Sequence, residues 1–165
     1  QVIPSTSPAM DIQVSSNFER LLFDLSDRDS TWLRTAMQDF RGNGELPLRE
    51  SLIAGLRTVF DAGRASESDV EETIADLHSA TGQFVDPHTA VAVSVARRLE
   101  PGNSPIAIMS TAHPAKFGAV VEDATGVAPV QPEEIKDLFG RAERCADLPN
   151  ELSAIMEFVS SVAIA

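Results

Sequence analysis

The sequence predicts an α/β fold that is mostly helical and contains few strands. Apolar residues recur at helical spacing in most of the segments between proline and glycine breaks. Only Ile106–Met109 forms a short apolar run that follows a proline, which is typical of a strand covered on both faces in a parallel sheet. Because one strand is too little for a complete α/β domain, we expect the remaining strands of the sheet to lie upstream of this chain.

The first part of the chain predicts an extended segment followed by two helices. Residues 1–14 contain two prolines and favour an extended conformation. Ser16 stands three residues before Glu19, which is the spacing of a capping box at a helix start. The apolar positions then predict one helix from about Asn17 to Leu25 and a second from about Ser30 to Arg41.

The middle and the end of the chain predict further helices. Residues 48–65 are ambiguous, because their apolar spacing suits a helix while residues 56–60 suit a short strand equally well. Capping residues and prolines mark the starts of the later helices. These run from Ser66 to Gly82, from Asp86 to Pro101, and onward from Pro114, Pro132 and Pro149.

The amino-acid composition and net charge disfavour several classes of binding partner. Of the 165 residues, 13 are Lys or Arg and 25 are Asp or Glu, which gives a formal net charge of −12. A charge this negative argues against nonspecific binding to nucleic acid or to an anionic membrane, since both require a positive surface. No apolar run reaches the roughly 20 residues of a membrane helix. The single cysteine, Cys145, excludes a multi-cysteine metal site and suits a reducing compartment, so we expect a cytoplasmic protein. The sequence also has no His, Cys and Asp cluster at metal-ligand spacing, so we expect no metal centre.

The end of the predicted strand is the strongest candidate for a binding site. Ser110 and Thr111 follow the strand directly, and a helix is predicted to begin at Pro114. In open α/β sheets, ligands gather outside the carboxyl ends of the strands, and a helix start adds free N–H groups. Ser and Thr before a helix are also common N-caps, so this pattern alone leaves both interpretations open.

Several stretches of the chain resemble the threonine synthases, which are pyridoxal-phosphate (PLP) enzymes that complete threonine biosynthesis. The most specific of them is STAHPAKF at residues 110–117. MDIQVSSNFERLLF at residues 10–23 and DPHTAVA at residues 86–92 agree in the same order, and the acidic tail around residues 146–149 is similar as well. The resemblance covers almost the whole chain.

The resemblance implies a fold of the tryptophan-synthase-β type, called fold type II, with residues 1–165 as the C-terminal part of its large domain. In this family the Schiff-base lysine and the glycine-rich phosphate loop lie upstream, and neither Lys116 nor Lys136 corresponds to that lysine. The chain begins with Gln1 rather than methionine, so we expect the N-terminal catalytic half to be missing. The fragment alone is therefore expected to be inactive and to expose apolar surface where the missing part packs.

The resemblance also implies roles for individual side chains. A hydroxyl faces the pyridine nitrogen of PLP, and we assign this role to Thr111, with Ser110 as the second choice because neighbouring strand residues point to opposite faces. A neutral hydroxyl leaves the ring nitrogen largely unprotonated, whereas a carboxylate would hold it protonated. His113 is either a proton shuttle or a cap of the following helix.

The substrate of the family, O-phospho-L-homoserine, carries a phosphate group. Arg20 with Asn17, and separately Lys116, are candidates to bind that phosphate, although Arg and Lys in such helical positions are also ordinary surface residues. Asp86, Pro87 and Thr89 are explained by helix capping, and His88 by packing or a hydrogen bond.

The function that the resemblance implies is conversion of O-phospho-L-homoserine and water to L-threonine and phosphate. Two alternatives remain open. Composition alone also allows a stand-alone acidic helical module that binds basic protein partners, and the fold allows another PLP lyase such as a threonine dehydratase. The full open reading frame distinguishes the enzyme from the acidic binding module, since only the enzyme needs an upstream lysine and a glycine-rich loop.

Overall fold

Seven α-helices make up most of the regular structure in the computed structural model, which describes residues 2–99 and 104–163. They fall into two compact units, residues 1–130 and residues 131–165. The α-helices are α1 (Ser16–Leu25), α2 (Ser30–Asn43), α3 (Glu50–Arg57), α4 (Glu67–Thr81), α5 (Pro87–Ala96), α6 (Gly118–Thr125) and α7 (Leu152–Val162). Short 3₁₀ helices cover Pro8–Met10, Pro114–Phe117, Glu133–Ile135 and Leu138–Gly140.

The first two helices confirm the prediction, with one correction at a cap. Helix α1 begins one residue before the predicted Asn17, and its N-cap is Ser15 without a side-chain bond, so the predicted capping box at Ser16 is wrong. Helix α2 is capped by Asp29, whose side chain accepts hydrogen bonds from the backbone N–H of Thr31 and Trp32. It ends at Gly44, which has a φ of 75°, a left-handed conformation that glycine adopts without steric cost.

The later helices follow their local signals closely. The ambiguous segment 48–65 contains helix α3, so its strand alternative at residues 56–60 is wrong. Helix α4 starts with a capping box between Ser66 and Asp69 and ends at Gly82, as predicted. Helix α5 starts on Asp86 and Pro87 but ends at Ala96, before the predicted end at Pro101, which lies outside the described residues.

The core of the first unit lies between α4, α5 and α6. Val70 and Ile74 of α4, Ala90 of α5 and Val121 of α6 are each at most 2% exposed and form one cluster. Three further buried apolar residues, Leu22, Met37 and Leu52, lie one each on α1, α2 and α3. Burial of these apolar faces stabilises helices whose separate lengths would leave them marginal in water.

The predicted strand at Ile106–Met109 is not formed. Residues 105–109 have no regular secondary structure, and neither they nor any other described residues form a strand. Ile106, Ile108 and Met109 are 44%, 39% and 75% exposed rather than covered on two faces. A strand exists only when a neighbouring strand pairs with its N–H and C=O groups, and the described part of this chain offers no such neighbour.

The helix predicted from Pro114 is confirmed, although it starts as a 3₁₀ helix at Pro114–Phe117 before α6 continues it. In the second unit, the helix predicted from Pro132 is wrong, because only two 3₁₀ helices of three residues each form there. Helix α7 has no buried side chain, and its large apolar residues are exposed. None of the helices in the described ranges is long and apolar enough to cross a membrane.

The capping box of α4 predicts a dependence of stability on pH. Hydrogen bonds from the Ser66 backbone and hydroxyl, with the Arg98 guanidinium nearby, hold the pKa of Asp69 below its ordinary value of 3.8. A depressed pKa contributes stability that is present above the unfolded-state value and is lost as pH falls through the folded-state value. Asp69→Asn should therefore be less stable than wild type at neutral pH, and the difference should shrink below about pH 4.

The measurement is denaturant unfolding of both proteins across the pH range 2.5–7. Asp123→Asn is the matched control, because this exposed carboxylate on α6 makes no hydrogen bond to other described residues. A constant difference between Asp69→Asn and wild type at every pH would contradict the prediction.

Candidate functional site

The most deeply buried polar group in the described part of the chain lies at the start of α5. Asp86 is fully buried, while His88 and Thr89 are 5% and 4% exposed. One oxygen of Asp86, Oδ1, accepts hydrogen bonds from the His88 backbone N–H at 3.0 Å and from His88 Nδ1 at 2.9 Å. The other oxygen, Oδ2, accepts a hydrogen bond from the Thr89 hydroxyl. The aspartate thus does more than cap the helix, because it also orients two side chains of the first turn.

The His88 ring connects α5 to two other segments. Its Nε2 accepts a hydrogen bond from the Ala9 backbone N–H at 3.3 Å, and its ring packs against Phe117 with the centroids 4.7 Å apart. Since a backbone N–H can only donate, Nε2 must be unprotonated, and the ring proton lies on Nδ1 facing Asp86. His88 is therefore held in one neutral tautomer by partners on either side.

Thr89 connects the same network to the candidate binding segment. Its Oγ1 accepts a hydrogen bond from the Thr111 backbone N–H at 3.2 Å. Two of the sequence motifs, residues 86–92 and 110–117, are thus joined by a direct bond, and the third, residues 10–23, begins one residue after Ala9.

The predicted cofactor residues lie beside this network and point to no described partner. Ser110 and Thr111 are both exposed, and their hydroxyls make no hydrogen bond within the described ranges. The Thr111 backbone is held by its hydrogen bond to Thr89, while its hydroxyl is available to contact a bound group. The residues present are therefore compatible with the predicted role.

His113 and Lys116 follow on the exposed side of the segment. His113 is the N-cap of the 3₁₀ helix, and its Nδ1 accepts from the Ala115 backbone N–H at 3.2 Å, which is the capping role weighed against proton transfer. The Lys116 ammonium lies 5.6 Å from the centroid of the Phe117 ring. Both side chains are therefore near Thr111 in sequence and accessible from solvent.

Asn17 and Arg20 lie in a different place. The Arg20 guanidinium donates a hydrogen bond to Asn17 Oδ1 on the exposed face of α1. Arg20 borders a surface groove of about 400 Å³ together with Ser16, Glu19, Phe23 and Leu33. No hydrogen bond or ion pair joins either residue to segment 110–117 among the described residues, so the structure does not bring these two candidate groups together.

The comparisons with known proteins agree with the motifs. A family model described as "Threonine synthase, C-terminal" matches residues 89–159. The chain is 44% identical over 159 residues to threonine synthase from Pseudomonas aeruginosa, covering 95% of this chain and 34% of that protein. It is 36% identical over 159 residues to the enzyme from Corynebacterium glutamicum, covering 94% of this chain and 33% of that protein.

A solved structure shows the same similarity in the fold. The structure of PLP-bound threonine synthase from Brucella melitensis superposes with a TM-score of 0.87 and 41% identity, over 100% of this chain and 36% of that one. The sequence and the fold of the chain are thus similar to those of the C-terminal regions of threonine synthases. It spans about a third of the length of these relatives.

The sequence motifs predict the network of Asp86, His88 and Thr89 incompletely. Asp86 as an N-cap is confirmed by its bond to the His88 N–H, and the hydrogen bond expected for His88 is present. The bond from the Thr111 N–H to Thr89 was missed, because Thr89 was explained as a capping residue only. The available signal was three polar side chains within four residues, Asp86 to Thr89, which is more than one cap requires.

Within the described residues, no group of three or more His, Cys, Asp or Glu side chains is placed to hold a metal ion. Cys145 is exposed and free.

Proposed function

We propose that this chain is the C-terminal part of a PLP-dependent threonine synthase located in the cytoplasm. The complete enzyme converts O-phospho-L-homoserine and water to L-threonine and phosphate. The fold match to a PLP-bound threonine synthase carries the proposal, because it covers the whole chain, including the free hydroxyls of Ser110 and Thr111.

Thr111 is the residue we assign to the pyridine nitrogen of the cofactor, with Ser110 as its alternative. When bound, PLP supplies the electron sink that makes the substrate protons at Cα and Cβ acidic. The Thr111 hydroxyl donates a hydrogen bond to the unprotonated ring nitrogen and carries no charge of its own. Residues 1–165 then form the C-terminal part of the large domain, and the rest of the polypeptide supplies the Schiff-base lysine, so this chain alone has no turnover.

The substrate phosphate requires cationic partners, and this chain offers two candidates. Lys116 lies on the same segment as Thr111, while Arg20 with Asn17 lies on α1. Arg binds phosphate in a bidentate manner, but no hydrogen bond among the described residues joins Arg20 to the segment that contains Thr111. We therefore assign Lys116, rather than Arg20, to the substrate phosphate. We assign His113 only the role of capping the 3₁₀ helix that follows it.

The test of the function uses the complete polypeptide that contains this chain. Phosphate release from O-phospho-L-homoserine is compared with ketobutyrate formation from L-threonine, with PLP present. Phosphate release with threonine as the second product supports the proposal. Ketobutyrate formation alone would assign a threonine dehydratase, and neither activity would leave the acidic binding module.

Thr111→Val tests the cofactor contact. Loss of one neutral hydrogen bond, worth about 0.5–1.5 kcal/mol, should weaken PLP binding by a factor of about 2 to 13 and shift the cofactor absorption spectrum. Thr111→Ser keeps the hydroxyl and should resemble wild type. Thr35→Val is the matched control, because Thr35 is exposed on α2 and its hydroxyl bonds, among the described residues, only to Thr31 O. An unchanged spectrum and affinity in Thr111→Val would remove Thr111 from the site.

A further inference from the structure

We propose that Thr89, anchored by Asp86, is a positioning residue that sets where the Thr111 hydroxyl stands relative to the cofactor. This inference rests on the proposed function and extends it to a residue that does not touch the cofactor. Its basis is the chain of hydrogen bonds from the Asp86 carboxylate through the Thr89 hydroxyl to the Thr111 backbone N–H.

The direction of these bonds is fixed by the groups themselves. The Thr111 backbone N–H can only donate, so Thr89 Oγ1 must be the acceptor in that bond. A hydroxyl has one hydrogen, and the Thr89 hydroxyl gives it to Asp86 Oδ2. Asp86 is thereby responsible for turning the acceptor lone pair of Thr89 toward residue 111.

The two residues that hold Thr111 are buried, whereas Thr111 itself is exposed. Asp86 is fully buried and Thr89 is 4% exposed, and both lie at the start of α5 against the helical core. Thr111 itself is exposed and belongs to a segment without regular secondary structure. Asp86 is in addition fixed by the His88 backbone N–H and the His88 ring, so the acceptor for Thr111 is held from several directions.

The bond to Thr89 is also the one hydrogen bond that joins residues 104–112 to any other described segment. A side chain whose function depends on its distance to a reacting group is sensitive to shifts of about 1 Å, which can cost about 100-fold in rate. The position of Thr111 therefore depends on a hydroxyl that has no contact with substrate or cofactor.

The experiment compares Thr89→Val, which keeps the shape and removes the hydroxyl, with Thr89→Ser, which keeps the hydroxyl. The complete polypeptide is used, in apo form and with PLP. Thr73→Val is the matched control, since Thr73 of α4 is also 4% exposed. Three quantities are measured: hydrogen exchange of the peptide that contains the Thr111 amide, PLP affinity with its absorption spectrum, and kcat separately from KM.

We expect Thr89→Val to raise exchange at residue 111 in the apo protein several-fold, because its acceptor is lost. We also expect it to reproduce the spectral change of Thr111→Val and to lower kcat by up to about tenfold, no more than Thr111→Val does, with a smaller change in KM. Thr89→Ser should resemble wild type in all three. The double variant Thr89→Val/Thr111→Val should be no worse than Thr111→Val, because Thr89 acts through Thr111.

Several outcomes would overturn the inference. One is faster exchange in Thr89→Val with an unchanged cofactor spectrum and kcat, and another is the same set of losses in Thr73→Val. Fully additive losses in the double variant would show that Thr89 acts independently of Thr111. If Thr89→Val does not fold, Thr89→Ala and Thr89→Ser, which differ by one hydroxyl, make the same comparison.

Failure of the proposed function would give a different result from failure of the positioning role alone. Wild-type polypeptide that neither binds PLP nor releases phosphate would remove the enzyme assignment and the positioning role together. The exchange measurement on the apo protein would then still report whether Thr89 holds the Thr111 amide, which depends on no ligand.

Discussion

Asp86→Ala is expected to lower the free energy of unfolding by about 3–5 kcal/mol. Removing this carboxylate leaves three donors without an acceptor in a buried site: the His88 backbone N–H, His88 Nδ1 and the Thr89 hydroxyl. Each unpaired buried donor costs about 1–3 kcal/mol, and their effects are not additive because they share one partner. Denaturant unfolding followed by circular dichroism measures the change.

Asp76→Ala is the control for this substitution. The Asp76 side chain is 70% exposed and lies 3.4 Å from Arg97, so its removal should change stability by no more than about 0.5 kcal/mol. A loss below about 1 kcal/mol for Asp86→Ala would mean that water reaches the three donors and that the network is not closed.

Ile74→Ala should cost about 2–5 kcal/mol, the range for truncating a fully buried isoleucine. Ile74 is fully buried on α4, where it packs with Val70, Ala90 and Val121 from three helices. The cavity left behind would lie where these helices meet, so the surroundings have little freedom to collapse into it.

The same unfolding measurement applies, with Ile12→Ala as the matched control. Ile12 is 59% exposed in the same unit, and its truncation should cost less than about 1 kcal/mol. Equal losses for the two isoleucines would show that the core does not lie where the buried residues place it.

The sequence predicted the features of this fold that depend on neighbouring residues. Asp86 with Pro87 and Ser66 with Asp69 start helices because their side chains bond to N–H groups within the next turn. Gly82 ends α4 because it accepts a left-handed conformation, which is a property of the residue itself.

Features that depend on distant partners could not be predicted in this way. The apolar run at Ile106–Met109 has the composition of a buried strand, but its conformation depends on pairing with another strand. The segment after Pro132 has apolar residues at helical spacing, yet in the structure it forms only 3₁₀ turns. The spacing of apolar residues indicates which conformations a segment can adopt, and tertiary contacts determine which of them forms.

The candidate site shows the same difference between local features and features that depend on distant partners. Thr111 and Ser110 were predicted from a resemblance, since hydroxyls before a helix start are ambiguous by themselves. The bonds from Ala9 to His88 and from Thr111 to Thr89 span 79 and 22 residues, and no local pattern specifies them. What the sequence did contain was the surplus of polar side chains at residues 86–89.

The bond between Ala9 and His88 has a consequence for the order of folding. Closing a flexible loop of 79 residues costs about 4 kcal/mol of chain entropy, more than one hydrogen bond of about 1 kcal/mol returns. The intervening helices must pack first and bring the two ends near each other. We therefore expect the amino-terminal segment to dock after the rate-limiting step, so that substitutions there speed unfolding and leave the refolding rate unchanged.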